Sequence, residues 1–150
     1  MAIRGLSHVA ISTSDLDRAV EFWCEAVGFT EVRRWSWDRL DVVDRLTDLE
    51  GSAARAVLLR GYGTGIEIFE FCSPPQRTDD SSTRPVSDHG YTHVCLEVDD
   101  IEDEMSRLGD AGMSFWAGAA TDPAGSRIVY GRDPDGNVIE LHQPPREALP

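Results

Sequence analysis

The segment Gly5-Leu6-Ser7-His8-Val9-Ala10-Ile11 returns 85 positions later as Gly90-Tyr91-Thr92-His93-Val94-Cys95-Leu96, so the chain writes one structural unit twice. The correspondence continues through Asp15-Leu16 against Asp100-Ile101 and Gly28-Phe29 against Gly112-Met113. Each copy closes on an acidic segment, Gly63-Thr64-Gly65-Ile66-Glu67-Ile68 against Gly136-Asn137-Val138-Ile139-Glu140-Leu141. Whatever fold one copy adopts, the other must adopt too. Two histidines and two glutamates at equivalent places in a duplicated unit point to a metal site.

Both copies open the same way. Val9 and Ile11 alternate with His8 and Ala10, which predicts a strand with the histidine on its less apolar side. Ser14 then reads as a helix N-cap with Asp17 at N3, and Leu16, Ala19, Val20, Trp23, Ala26 and Val27 form an apolar stripe that Gly28 ends. In the second copy Val94, Leu96 and Val98 face one way and His93, Cys95 and Glu97 the other. A cap at Asp99 or Asp100 follows, then a stripe of Ile101, Met105 and Leu108 that Gly112 ends.

Shorter β-like segments come next: 31–35, 55–60 and 66–71 in the first copy, and 114–116, 128–131 and 138–142 in the second. Each module therefore reads as βαβββ, giving an α+β fold. His8 to Glu67 spans 59 positions and His93 to Glu140 spans 47, an excess of 12 in the first copy. It falls at 38–51, where Leu40, Val43, Leu46 and Leu49 suggest an inserted short helix that either caps a pocket or elaborates the surface. Asp133-Pro134-Asp135-Gly136-Asn137 reads as a tight turn that fixes the register of the strand carrying Glu140. The expected organisation is one domain, with module one over about 5–72, a Pro/Ser/Asp-rich linker over 73–89, module two over 90–144 and a frayed tail over 145–150.

Composition narrows the partners. At 150 residues and 41% hydrophobic the chain can bury a core as a single domain. No window approaches the roughly 18 apolar residues of a membrane span. A formal charge of −13 disfavours nucleic acid and anionic lipid, leaving a small molecule as the expected partner. Arg33, Arg34, Arg39, Arg60 and Arg132 are the side chains able to gather around an anionic one. The odd count of three cysteines (Cys24, Cys72, Cys95) and the lack of an evident secretory signal lead us to expect a reducing, cytoplasmic setting.

The Gly-x-x-His strand, the Asp-Leu or Asp-Ile helix start and the Asp-Pro-Asp-Gly-Asn-x-Ile-Glu-Leu ending resemble, together and in order, the vicinal oxygen chelate superfamily. That group includes glyoxalase I, methylmalonyl-CoA epimerase, extradiol dioxygenases and bleomycin-resistance proteins, and the resemblance covers residues 5 to 144. It implies paired βαβββ modules forming a curved mixed sheet around a metal-binding cleft, with a homodimer as the usual assembly. It also implies metal ligands at His8, Glu67, His93 and Glu140, with Glu67 or Glu140 as catalytic base. Glu67 is preferred over Glu70 because it aligns with Glu140 without a gap, and residues three apart on a strand face opposite ways.

Two imidazoles and two carboxylates suit one divalent ion such as Zn, Ni, Co, Mn or Fe(II). The leading expectation is a metal-dependent lyase or isomerase, glyoxalase- or epimerase-like, that takes a proton next to a carbonyl. The alternatives are an Fe(II) ring-cleaving dioxygenase, for which Tyr130 stands at a matching position, and a non-catalytic drug-binding protein. Trp35, Trp37, Trp116, Phe69 and Tyr130 are candidate pocket-wall residues, Trp23 is expected in the core, and Cys95, Glu97 and His142 share faces with the ligands.

Overall fold

The computed structural model describes residues 3–76 and 84–145. Residues 77–83 of the expected linker and the tail from 146 lie outside the described residues. The chain divides into two compact units, 1–79 and 80–150, and each carries its own sheet.

Unit one runs β1 (Val9–Ser12), α1 (Leu16–Glu21), β2 (Thr30–Asp38), α2 (Asp41–Thr47), β3 (Ala53–Gly61) and β4 (Thr64–Ser73), with strand order β1-β4-β3-β2. β1 lies parallel to β4, and the remaining pairs are antiparallel. Unit two runs β5 (Val94–Glu97), α3 (Ile101–Asp110), β6 (Ser114–Phe115), β7 (Ala120–Thr121), β8 (Arg127–Arg132) and β9 (Val138–Gln143), with order β5-β9-β8-β6 and β7 added against β8. Here too the first strand runs parallel to the last. Both units are α+β and repeat one βαβββ plan. Backbone pairing forms a separate sheet in each, rather than one continuous sheet.

Several element ends differ from expectation. The first helix is capped by Asp15, not Ser14: the Asp15 carboxylate accepts from the Arg18 amide, while the Thr13 hydroxyl accepts from the Asp15 amide and shapes the turn before it. Asp100 caps α3 in the same way, accepting from the amides of Glu102 and Asp103. β1 and β5 begin one residue after His8 and His93, so both histidines sit at a strand entrance rather than within the ladder.

After Glu21 the first helix widens into a π turn over Phe22–Ala26, closed by the Val27 amide on the Phe22 carbonyl. The wider turn buries both Phe22 and Trp23, and Trp23 packs edge-on against Phe22 and Phe29. That stripe seals one face of the sheet against Val57, Leu59, Ile66 and Ile68, all buried. In unit two Ile101 and Leu108 seal the corresponding face with Val129, Ile139 and Leu141, while Met105 is half-buried.

The insertion forms α2 as expected, but its apolar residues largely stay in solvent; Leu40 and Leu46 are exposed. Val43 packs against Trp37, Ala54 and Ala56. Asp44 clamps the insert instead, accepting from the amides of Gly51 and Ser52 and from the Ser52 hydroxyl, which in turn accepts from Trp37 Nε1.

Candidate metal centre

Strand alternation in β4 places Glu67, Phe69 and Phe71 on the face opposite α1. Glu67 lies opposite Ala10 in β1 and Leu58 in β3, and its Oε2 stands 3.3 Å from Nε2 of His8. Gly65 makes this approach possible, because a Cβ there would come within 3.2 Å of the His8 Cβ and 3.0 Å of the Leu59 carbonyl. Glu70 points the other way and ion-pairs with Arg55, which also binds Asp17. Glu70, then Asp17, holds the Arg55 guanidinium more firmly protonated than usual, and Arg55 and Arg34 hold the Asp17 carboxyl below its ordinary range.

Unit two repeats the pair. Glu140 faces Cys95 in β5 and Tyr130 in β8, and its Oε2 lies 2.8 Å from Nε2 of His93. The Asp133–Asn137 turn sets this register as expected: the Gly136 amide closes on the Asp133 carbonyl, and Gly136 takes the positive φ of 87°. The Asp133 carboxylate accepts from the amides of Asp135 and Asn137, and Arg132 donates to the Gly136 carbonyl, so the turn is held from inside.

Each histidine has a hydroxyl behind it. Ser7 Oγ lies 3.3 Å from Nδ1 of His8, and Thr92 Oγ1 lies 2.9 Å from Nδ1 of His93. With Nδ1–H donated to that oxygen, Nε2 keeps its electron pair for a cation. The first copy adds Arg60, which donates to the Ser7 carbonyl and hydroxyl and steadies the strand entrance. These partners were not singled out from sequence, although Ser7 and Thr92 occupy one position of the repeat.

Tyr130 also differs from its expected role as wall. Its hydroxyl donates to Glu140 Oε2 at 2.9 Å, and its ring stands edge-on to His93 and stacked on Trp116. Burial, then the Glu140 carboxylate, pushes the phenol up to about 12, so it remains a donor at neutral pH.

Among the described residues no group of three or more His, Cys, Asp and Glu side chains is drawn together tightly enough to hold a metal. The structure instead assembles one His–Glu pair per unit, and the donor chemistry of the pairs fits a divalent ion: imidazole nitrogens, shielded carboxylates and a hydroxyl beside each ring.

The family model for the Glyoxalase/Bleomycin resistance protein/Dioxygenase superfamily matches residues 5–141. The chain belongs to this superfamily. Among its relatives, 2-epi-5-epi-valiolone epimerase of Actinomyces sp is 32% identical over 154 residues, covering 94% of this chain and 80% of that protein. Glutathione transferase FosA of Serratia marcescens is 29% identical over 143 residues, covering 93% and 81%. A glyoxalase family protein from Bacillus cereus superposes with a TM-score of 0.81 at 26% identity, covering 95% of this chain and 97% of that one. These relatives include enzymes of different reaction types, so superfamily membership carries the fold and leaves the substrate open.

The remaining candidates occupy distinct places. Cys95 faces Glu140, and desolvation, then Glu140 and Glu97, pushes its thiol up to about 11, which keeps it from serving as a neutral-pH thiolate. His142 pairs across the sheet with Glu97 and Ile128, and His89 is exposed. Trp35, Trp37, Phe69 and Phe71 cluster on the Glu67 face over Ala54 and Ala56, and Trp116 is half exposed. The five arginines are engaged separately: Arg34 with Glu31 and Asp17, Arg39 with Asp38, Arg60 with Ser7, Arg132 with the Gly136 and Arg84 carbonyls, and Arg33 over the Trp35 ring. Among the described residues no helix is long and apolar enough to cross a membrane.

Proposed function

We propose that the protein is a metal-dependent lyase or isomerase that removes a proton next to a carbonyl of a small molecule, with His8, Glu67, His93 and Glu140 as the ligands of one divalent ion. One observation carries this reading: both copies of the module place a hydroxyl-backed imidazole nitrogen against a shielded carboxylate at the same point of the fold. Strand packing alone favours apolar side chains there, at lower desolvation cost. The kinship with an epimerase agrees with it.

When bound, a divalent ion supplies polarisation of the substrate carbonyl, which makes the adjacent C–H bond more acidic. The chain's own residues do the rest. His8 and His93 are aimed by Ser7 and Thr92, and a glutamate within reach of the substrate takes the proton and returns it to carbon. Homodimeric assembly belongs to this reading; light scattering should then give about twice the 16.6 kDa chain mass.

Elemental analysis by mass spectrometry on untagged protein, repeated for His93→Ala, tests the proposal. About one divalent ion per chain, lost in the variant, is the expected result, and iron as the element would favour the ring-cleaving dioxygenase instead. No retained ion, even after reconstitution with Zn, Ni, Co, Mn and Fe(II), would leave the ligand-binding protein as the reading.

A further inference from the structure

β3 pairs with β2 on one side and with β4 on the other, so register lines side chains into rows across the sheet face opposite α1. One row is Arg33, Leu58 and Glu67, and the next is Trp35, Ala56 and Phe69. Ala56 is fully buried beneath its two neighbours, whose rings meet edge to face with centroids 6.4 Å apart and stay partly exposed. One row farther from Glu67, Trp37 stands across Ala54, and Val43 of the insert packs there. The aromatic strip is thus bounded by α2 at one end and runs up to Glu67 at the other. Unit two, built on the same plan, carries Ala120, Ile128 and His142 in the row that holds Trp35, Ala56 and Phe69. The module's fold therefore does not require these rings. An aromatic side chain that only steadies a sheet gains most from full burial, as Trp23 and Trp37 do, whereas Trp35 and Phe69 keep part of their surface open beside Glu67. Arg33 adds a charge to the strip. Its guanidinium lies 5.0 Å from the centre of the Trp35 ring, and among the described residues it makes no ion pair, while Arg34 beside it binds Glu31 and Asp17. A guanidinium resting on a ring keeps its in-plane N–H fork for a carboxylate.

We infer that this strip selects a substrate that joins a planar aromatic ring to a carboxylate: the ring rests on Trp35 and Phe69, and Arg33 reads the carboxylate. The inference deepens the proposed function and rests on it in one respect, that the carbonyl to be activated lies toward Glu67. Same-face rows stand roughly 7 Å apart along a strand, so a ring on the aromatic row reaches the row of Arg33 and Glu67 through a short carbon chain. Aromatic faces in a chain of net charge −13 would by themselves draw an organic cation. Arg33 reverses that preference locally, because it repels a cation and offers paired donors to an anion. Arg33, Trp35 and Phe69 are specificity residues, and they act before any bond to the substrate changes.

Fragment binding to the ion-free full chain tests this apart from the metal reading. NMR follows the tryptophan indole N–H signals, that of Trp35 being assigned with Trp35→Phe, during titration with 3-phenylpropionate, 3-phenylpropanamide, propionate and 3-phenylpropylamine. The aromatic acid should bind most tightly and move the Trp35 signal. Arg33→Gln should lower its affinity by about 10- to 100-fold while leaving that of the uncharged amide unchanged, and Arg33→Lys should restore part of the loss. Trp35→Ala should weaken acid and amide alike. The signal of Trp23, buried in the core, stays in place in every variant that folds. Binding of the amine as tight as that of the acid, an equal loss of acid and amide in Arg33→Gln, or no binding of the acid to folded protein overturns the inference. So does a Trp35 signal that moves on dilution without ligand, which would give this face to a second copy of the chain. None of these outcomes touches the metal reading, which elemental analysis decides. If that analysis finds no ion, recognition of ring and carboxylate stands and only the placing of the carbonyl beside Glu67 is lost.

Discussion

Ser7 and Thr92 are neither ligands nor core residues, yet each sets a hydroxyl against Nδ1 of the histidine that follows it. An imidazole whose back nitrogen is held loses less freedom when its front nitrogen binds, which is why such partners commonly govern metal affinity. Thr92→Val keeps the β-branched shape and deletes the hydroxyl, so zinc affinity measured by calorimetry should fall about tenfold. Glu70→Gln provides the contrast. It severs Glu70 from Arg55 on the helix-side face, and zinc affinity should not change. Strand parity made this distinction readable in advance. The hydroxyls were also in view as one repeated position, but a Ser or Thr before a histidine has many uses, and only coordinates show the Oγ to Nδ1 approach. In the core, Trp23 is 1% exposed, and Trp23→Ala should cost about 3–5 kcal/mol in chemical denaturation.

At the scale of elements, the periodic segments were the legible ones. The apolar stripes of the two helices and the alternation of β1, β4, β5 and β9 follow from local spacing, and the chain honours them. Helix starts were read less well in the first copy, because Thr13, Ser14 and Asp15 are all capable caps. The choice fell to the one whose carboxylate reaches the Arg18 amide. The insert is the clearest case of tertiary control. Its leucines suggested a short helix that either caps a pocket or elaborates the surface, and α2 is held chiefly by Asp44 bonding to Gly51 and Ser52. Those hydrogen bonds, from the Ser52 side chain first, hold the Asp44 carboxyl below its usual 3.8. A folded-state value below the unfolded one means the clamp contributes fully above about pH 3.8 and is lost as the pH falls through the lower, folded-state value. Amide exchange over 41–52 should therefore accelerate below that pH sooner than exchange in β3 and β4. Asp44→Asn should remove the difference.

For the whole molecule, charge and duplication set the terms. Twenty-seven acidic against fourteen basic side chains leave −13, and self-repulsion of that size opposes the compact state. Raising sodium chloride from low to physiological ionic strength should raise the melting temperature, because the Debye length contracts to roughly 8 Å. A bound divalent ion adds to stability by mass action, about 2.7 kcal/mol at 100 times its Kd. That increment should appear in a thermal shift with the unaltered protein and vanish with His93→Ala.

The amino-acid sequence by itself determined the module, its repetition, the helical stripes, the turn before Glu140 and the side of the strand on which Glu67 stands. All of these depend on spacings of a few residues or on comparison of the copies with each other. Only the tertiary structure decided that the sheets pair separately, that the first helix widens at Phe22, and that Tyr130 reaches Glu140 while Leu58 faces Glu67. Those facts depend on register and packing between segments distant along the chain, where one residue of slip exchanges every neighbour. The repeat predicts equal glutamates, and the neighbouring strands make them unequal.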